Sequence, residues 1–196
     1  RSWRYLRHDA ALRNFIIARS LLISTALAAP FYVLLAQQGG AGAVGFGLLL
    51  LASGAANTLS AGVWGRLADR SSRKVMLAAG GLGAASGCAI VGVDLLALST
   101  PLQPLGYAFA YLMLGVAHSG VRLGRKTYLV DLATQDNRAT YVALSNSLVG
   151  IILLLAGGLV SLLSLFVGNA ATVVVLAVTA LVGGLYTLKL PEVEAA

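Results

Sequence analysis

From Phe15 onward the chain alternates long apolar runs with short polar interruptions, and within each run the apolar residues are continuous rather than every second one. Six runs are close to or beyond the roughly 20 residues that a helix needs to cross the hydrocarbon core of a bilayer. They are Phe15 to Ala36, Gly42 to Trp64, Val75 to Leu98, Leu105 to Val121, Tyr141 to Val167 and Ala170 to Leu188. Continuous runs exclude the alternating strands of a membrane β-barrel. Helices are the other structure that satisfies every backbone polar group within lipid. The pattern therefore predicts an all-α membrane protein with six transmembrane helices. Residues 1–14 precede the bundle, 15–190 form it, and 191–196 are a tail.

Charge sets the orientation. The 14 Lys and Arg against 7 Asp and Glu give a net charge of +7, which in a soluble chain would suggest nucleic acid or acidic partners. Here the positive charges cluster at Arg1 to Arg19, Arg66 to Lys74, Arg122 to Arg138, and Lys189. With six spans, every cluster falls on one side. The opposite connectors, Gln37 to Ala41, Ser99 to Pro104 and Gly168 to Asn169, contain no Lys or Arg. By the positive-inside rule both termini lie in the cytoplasm, the lipid bilayer is the partner, and no nucleic acid is expected. A cleaved signal peptide is disfavoured because the first run is too long and leads into five more. With 58% hydrophobic and 11% charged residues, the composition also excludes a soluble or disordered chain.

The few polar residues inside the spans carry the chemical information. Ser53, Asn57 and Ser60 share one face of the second helix. Tyr107, Tyr111, His118 and Arg122, spaced by 4, 7 and 4 residues, form a stripe along the fourth. Such a stripe is expected to face a bundle interior or a wet cavity, because exposure to lipid is costly. The alternative is that the tyrosines anchor at the outer interface and Arg122 snorkels at the inner one, which leaves Tyr111 and His118 unaccounted for. Asp94 and Arg19 stand about one turn from helix ends and read as solvated. Asn146 reads as a bond to a neighbouring helix. Gly83 and Gly87 mark a close helix approach, and Pro30 a bend in the first helix. No metal-ligand cluster, phosphate-binding loop or paired catalytic groups occur, so neither an enzyme, a metal nor a cofactor is expected.

Between the second and third helices the chain reads Gly65-Arg66-Leu67-Ala68-Asp69-Arg70-Ser71-Ser72-Arg73-Lys74. This resembles the loop motif of the major facilitator superfamily, Gly-x-Leu-Ala-Asp-Arg-x-Gly-Arg-Arg or Lys, with Ser72 where the family has its second glycine. After the fourth helix, Asp131 and Arg138 bracket Leu132 to Asn137, similar to the family's acid followed by arginine in that loop. The resemblance spans nearly the whole chain. It implies two inverted three-helix repeats making one half of a twelve-helix transporter. With the basic lead-in Arg1 to Arg7, it implies the C-terminal half, whose partner is the N-terminal half of the same protein.

The same resemblance implies a secondary active transporter of the plasma or inner membrane that moves a small solute by alternating access. Its solute path would run along Tyr107, Tyr111, His118, Arg122 and Asn57. A conformational latch would comprise Gly65, Asp69, Arg70, Arg73, Asp131 and Arg138, with Asp69 docking on a helix N-terminus of the other half and Arg73 bracing it. His118, with an unperturbed pKa of about 6.5, is the candidate for any coupling to protons, the alternative being a neutral histidine bonded to a neighbouring helix. The alternatives are a non-transporting scaffold of the same fold and a self-dimerising six-helix protein.

Overall fold

The computed structural model describes residues 8–96 and 102–193. The lead-in at 1–7, the connector at 97–101 and the tail at 194–196 lie outside the described residues. Helices account for almost everything else: α1 Ala10–Leu22, α2 Ser24–Leu27, α3 Ala29–Gln38, α4 Gly42–Ala68, α5 Ser72–Leu95, α6 Gln103–Leu132 and α7 Arg138–Tyr186, followed by a short 3₁₀ turn Thr187–Lys189. Polar caps set the starts of two of them. Asp9 accepts the amide hydrogen of Leu12 at the head of α1, and Ser71 accepts that of Lys74 at the head of α5.

Four helical stretches among the described residues are long and apolar enough to cross a membrane: Ala10–Gln38, Gly42–Ala68, Ser72–Leu95 and Arg138–Lys189. The first comprises α1 to α3, which run on with helical dihedrals through Ile23 and Ala28. It is interrupted at Ile23 and at Ala28, the second just ahead of Pro30, which has no amide hydrogen for the carbonyl four residues back. The expected bend is thus a loosened ladder just ahead of Pro30. Helix α6 is 30 residues long, but its stripe of tyrosines, His118 and Arg122 makes it less apolar than the others.

The last stretch cannot be one straight rod. Forty-nine helical residues would extend about 74 Å, more than twice the hydrocarbon core. Gly168 breaks it, with φ 80° and ψ 170°, a backbone conformation essentially confined to glycine. The chain doubles back there: Ser145 bonds Arg19 of α1, and Gly183 lies against Leu21 and Leu22 of the same helix. The limbs at 138–167 and 169–186 therefore run side by side along the first span.

Packing follows the small residues. Helix α5 is central, lying along α6 and the second limb of α7, while α4 packs on α6. A methyl group added at Gly80 would lie 2.7 Å from the Ala180 carbonyl oxygen and from the Gly184 Cα, so two backbones touch there. The face expected from Gly83 and Gly87 continues this contact, Gly87 against Ala177.

Two apolar cores close the ends of the bundle. One joins Leu12, Phe15, Ala68, Val75, Tyr128, Tyr141 and Leu190, and so gathers the ends that carry the basic clusters. The other joins Tyr32, Leu35, Ala41, Leu49, Ile90, Tyr107 and Val173 at the opposite end. Away from these cores, Leu154, Leu165 and Phe166 of α7 are each 80% exposed. A surface so apolar requires lipid or another protein against it.

Candidate functional site

A cavity of about 240 Å³ opens between the first span, α4 and α6. Helix α6 supplies most of its wall through Tyr111, Leu114, Gly115, His118, Ser119 and Arg122, residues that recur every three or four positions and so share one face. Helix α4 adds Ser53, Ala56 and Asn57, and the first span adds Thr25, Ala26 and Ala29, the residues flanking the Pro30 interruption. The floor is tight because Gly115 and Ala56 let α4 and α6 meet, a Cβ on Gly115 falling 2.6 Å from the Ala56 methyl.

Hydrogen bonding fixes the orientation of two wall residues. The Thr25 hydroxyl donates to the Leu22 carbonyl at 2.9 Å and lies 3.3 Å from Nδ1 of His118. With its hydrogen given to Leu22, the Thr25 oxygen would accept from the His118 tautomer that carries its proton on Nδ1. The Tyr111 ring packs edge-on to Tyr32 at 6.3 Å, and Tyr32 is held by Ser86, which donates to the Ala110 carbonyl. This wall is braced by side chains that do not themselves reach the cavity.

Of the residues expected along the solute path, Asn57, Tyr111, His118 and Arg122 come together around this one cavity. Tyr107 does not. It is 1% exposed in the core opposite the basic clusters, its hydroxyl donating to Asp94 at 3.3 Å, and it fills the space beneath Gly39. The stripe thus has a structural end and a cavity end. Asp94, expected as a solvated helix terminus, is the acceptor of that bond. Ser60, on the face of Ser53 and Asn57, turns back to the Ala56 carbonyl. Thr25 and Ser119 were not singled out in the sequence, and only the position of Thr25 one turn before Pro30 pointed towards it.

Arg19 departs further from expectation. Far from reaching water, it is 9% exposed and donates to Ser145 Oγ at 2.6 Å and Asn146 Oδ1 at 2.8 Å, while its Nε is buried without a partner. Asn146 does bond a neighbouring helix, as expected, and its partner is this buried guanidinium.

At the basic end, Gly65 lies in the last turn of α4, and Asp69 and Arg70 are exposed on the turn that leads to α5. Arg73 does not brace Asp69 in this structure. It pairs with Glu192 at 2.6 Å and donates to the Leu190 carbonyl at 2.9 Å. Ser71 donates to the same glutamate, and Tyr128 to the Pro191 carbonyl. The segment after α7 is therefore strapped to the start of α5, a role for Glu192 that the sequence did not reveal. Asp131 ends α6 and Arg138 begins α7, both exposed.

Residues 15–196 match the family model described as Major Facilitator Superfamily, which covers the cavity, the turn and the strap alike. Comparison with curated proteins and with solved structures finds no match.

Proposed function

Since this chain belongs to the Major Facilitator Superfamily, a family of membrane transporters rather than enzymes, we propose that residues 15–190 form one six-helix half of a secondary active transporter. In this reading α6 and the two limbs of α7 are the fourth to sixth membrane-spanning helices, arranged with the first three as inverted repeats. Both termini face the cytoplasm because the core that gathers the basic clusters lies at one end. The protein works in the plasma or inner membrane, and its N-terminal half closes the open side of the cavity.

The observation that carries the reading is the convergence of Asn57, Tyr111, His118 and Arg122 on one cavity beside the Pro30 interruption. A bundle that served only as a scaffold would fill that space, because polar side chains inside a membrane are costly unless they serve a path. A small solute with apolar and hydrogen-bonding parts suits the Tyr111 ring and hydroxyl. His118, in the cavity wall, supplies the proton-linked step. Rocking of the two halves would expose the site to each side in turn, with Asp69, Arg70, Arg73, Asp131 and Arg138 latching the cytoplasmic side.

The test uses the full-length protein. Solutes that raise its melting temperature would be measured for uptake in proteoliposomes, since a ligand that binds only the folded state stabilises it. Tyr111→Ala is expected to weaken apparent solute affinity about tenfold, about 1.4 kcal/mol, and His118→Gln to flatten the pH dependence of uptake. Unchanged affinity and an unchanged pH profile would remove the cavity from the solute path. Saturable uptake by the 196-residue chain alone would favour the self-paired dimer.

A further inference from the structure

At its basic end the cavity holds an excess of positive charge without a counter-ion. His118 and Arg122 line it, and Arg125 follows one turn beyond on the same face of α6. The Arg125 charge repels those of Arg122 and Arg19 and is felt at His118, so the four basic groups occupy one electrostatic neighbourhood. No Asp or Glu lines the cavity. Among the described residues no carboxylate pairs with Arg19, Arg122 or Arg125.

Three of the acids are engaged elsewhere. Asp9 caps α1 and accepts from Tyr141, Asp94 accepts from Tyr107 at the far end, and Glu192 holds Arg73. Arg19 has only the neutral oxygens of Ser145 and Asn146, which satisfy its donors and leave its charge in place. Arg122 is exposed at the cavity surface while Arg125 is half-buried and Arg19 buried, and a charge drawn out of water is costly without a partner of opposite sign. With no carboxylate partner among the described residues, these charges are left for a group that arrives and leaves.

We propose that the cavity selects anionic solutes and that the Arg122 guanidinium is their anchoring group. The carboxylate, phosphate or sulfonate of the solute would face Arg122, with Asn57 and Ser119 within the same wall as neutral donors. Arg125 contributes through space by raising the local potential, and Arg19 sets the positive background from the first span. The proposal rests on the reading of this cavity as the solute site, and it adds the charge class of the solute. A cationic solute would meet the Arg122 guanidinium with no carboxylate among the described lining residues, and a neutral one would leave that charge uncompensated.

The charge of the cavity can be measured without knowing the solute. In the full-length protein with Cys88→Ser, a reporter Ser119→Cys sits in the wall one turn from Arg122, and Thr134→Cys serves as an exposed reference. Each would be reacted with a methanethiosulfonate bearing a sulfonate and one bearing a trimethylammonium group. The ratio of anionic to cationic labelling rates at the reporter should exceed the reference ratio by about tenfold or more, as expected where a cleft focuses the field of one sign. It should fall at least about threefold with Arg122→Gln and persist with Arg122→Lys. Equal ratios at the two positions, a ratio indifferent to Arg122→Gln, or a reporter that neither reagent reaches would each overturn the proposal. Asn57→Cys repeats the measurement from α4 should Ser119→Cys fold poorly. Because labelling requires no transport, equal ratios with intact solute uptake overturn the charge selection alone. A raised ratio in a protein that moves no solute overturns the transport reading instead.

Discussion

At the scale of single residues, Arg19 is the most demanding feature of the chain. Its guanidinium is buried between the first span and the first limb of α7, on Ser145 and Asn146. Hydrogen bonds to charged groups contribute about 1.5–3 kcal/mol each in soluble proteins, and interhelical bonds within membranes average about 0.6. Asn146→Ala is therefore expected to cost about 1–2 kcal/mol, seen as a lower unfolding midpoint of the purified protein. The pair Arg19→Met with Asn146→Leu should cost less than the sum of the single changes, since removing both partners removes the buried charge as well. An unchanged midpoint for Asn146→Ala would deny the bond its role. Half of this contact was legible in the sequence: a lone amide in a membrane helix seeks a helix partner. The other half was not, because distance from the helix end says how far a side chain could snorkel, and only packing decides whether a neighbouring helix stands in the way. Tyr107 illustrates the same limit. Helical spacing placed it on the face of Tyr111 and His118, but α6 passes from the core opposite the basic clusters into the cavity between them, so one stripe serves two surroundings.

Among elements, glycines set how closely helices meet, and identity alone does not tell which of them matter. Gly80 and Gly81 are neighbours in α5. A methyl at Gly80 would collide with the Ala180 carbonyl and Gly184, whereas one at Gly81 would meet nothing. Gly80→Ala should thus destabilise by about 1–3 kcal/mol through overpacking, while Gly81→Ala should be neutral or stabilising by up to about 1 kcal/mol, since alanine is the better helix former. Parallel unfolding measurements on the two variants decide it, and equal effects would mean that the α5 contact is not as close as drawn. The four apolar stretches were legible as long apolar runs, and helix α6 was legible in spite of its polar stripe. The turn at Gly168 was also marked, by the dipeptide Gly168-Asn169 between two apolar runs. What the runs could not show is that helical structure continues up to the turn on both sides, so that one glycine with φ 80° performs the reversal.

The whole molecule couples the cavity to its basic end through α4 and α6, which carry the wall residues and then the charged turns. If Asp69 docks on the other half in the outward-open state, Asp69→Asn in the full-length protein should raise labelling of a cavity cysteine from the cytoplasmic side severalfold. A carboxylate at a helix N-terminus contributes about 0.3–1 kcal/mol when exposed and up to about 2 when partly buried. Glu192→Gln frees Arg73 from a partly exposed ion pair worth under about 1 kcal/mol, and the same labelling then reads whether Arg73 shares in the latch. Identical labelling in parent and Asp69→Asn would count against the latch. The motif around Asp69 was legible as a run of residue types, yet the intramolecular partner of Arg73 was not, because Glu192 lies 119 positions away and no local pattern joins them. The bond from Arg19 reaches further still, across 126 positions, and this gives the molecule a timetable. Chains grow at about 5–20 residues per second, so Arg19 enters the bilayer about 6–25 seconds before Ser145 and Asn146 are made. During that interval the first span carries a charge whose central placement costs about 2.5–3.5 kcal/mol on insertion scales. The first span therefore waits for these partners while the 126 positions that separate them are synthesised.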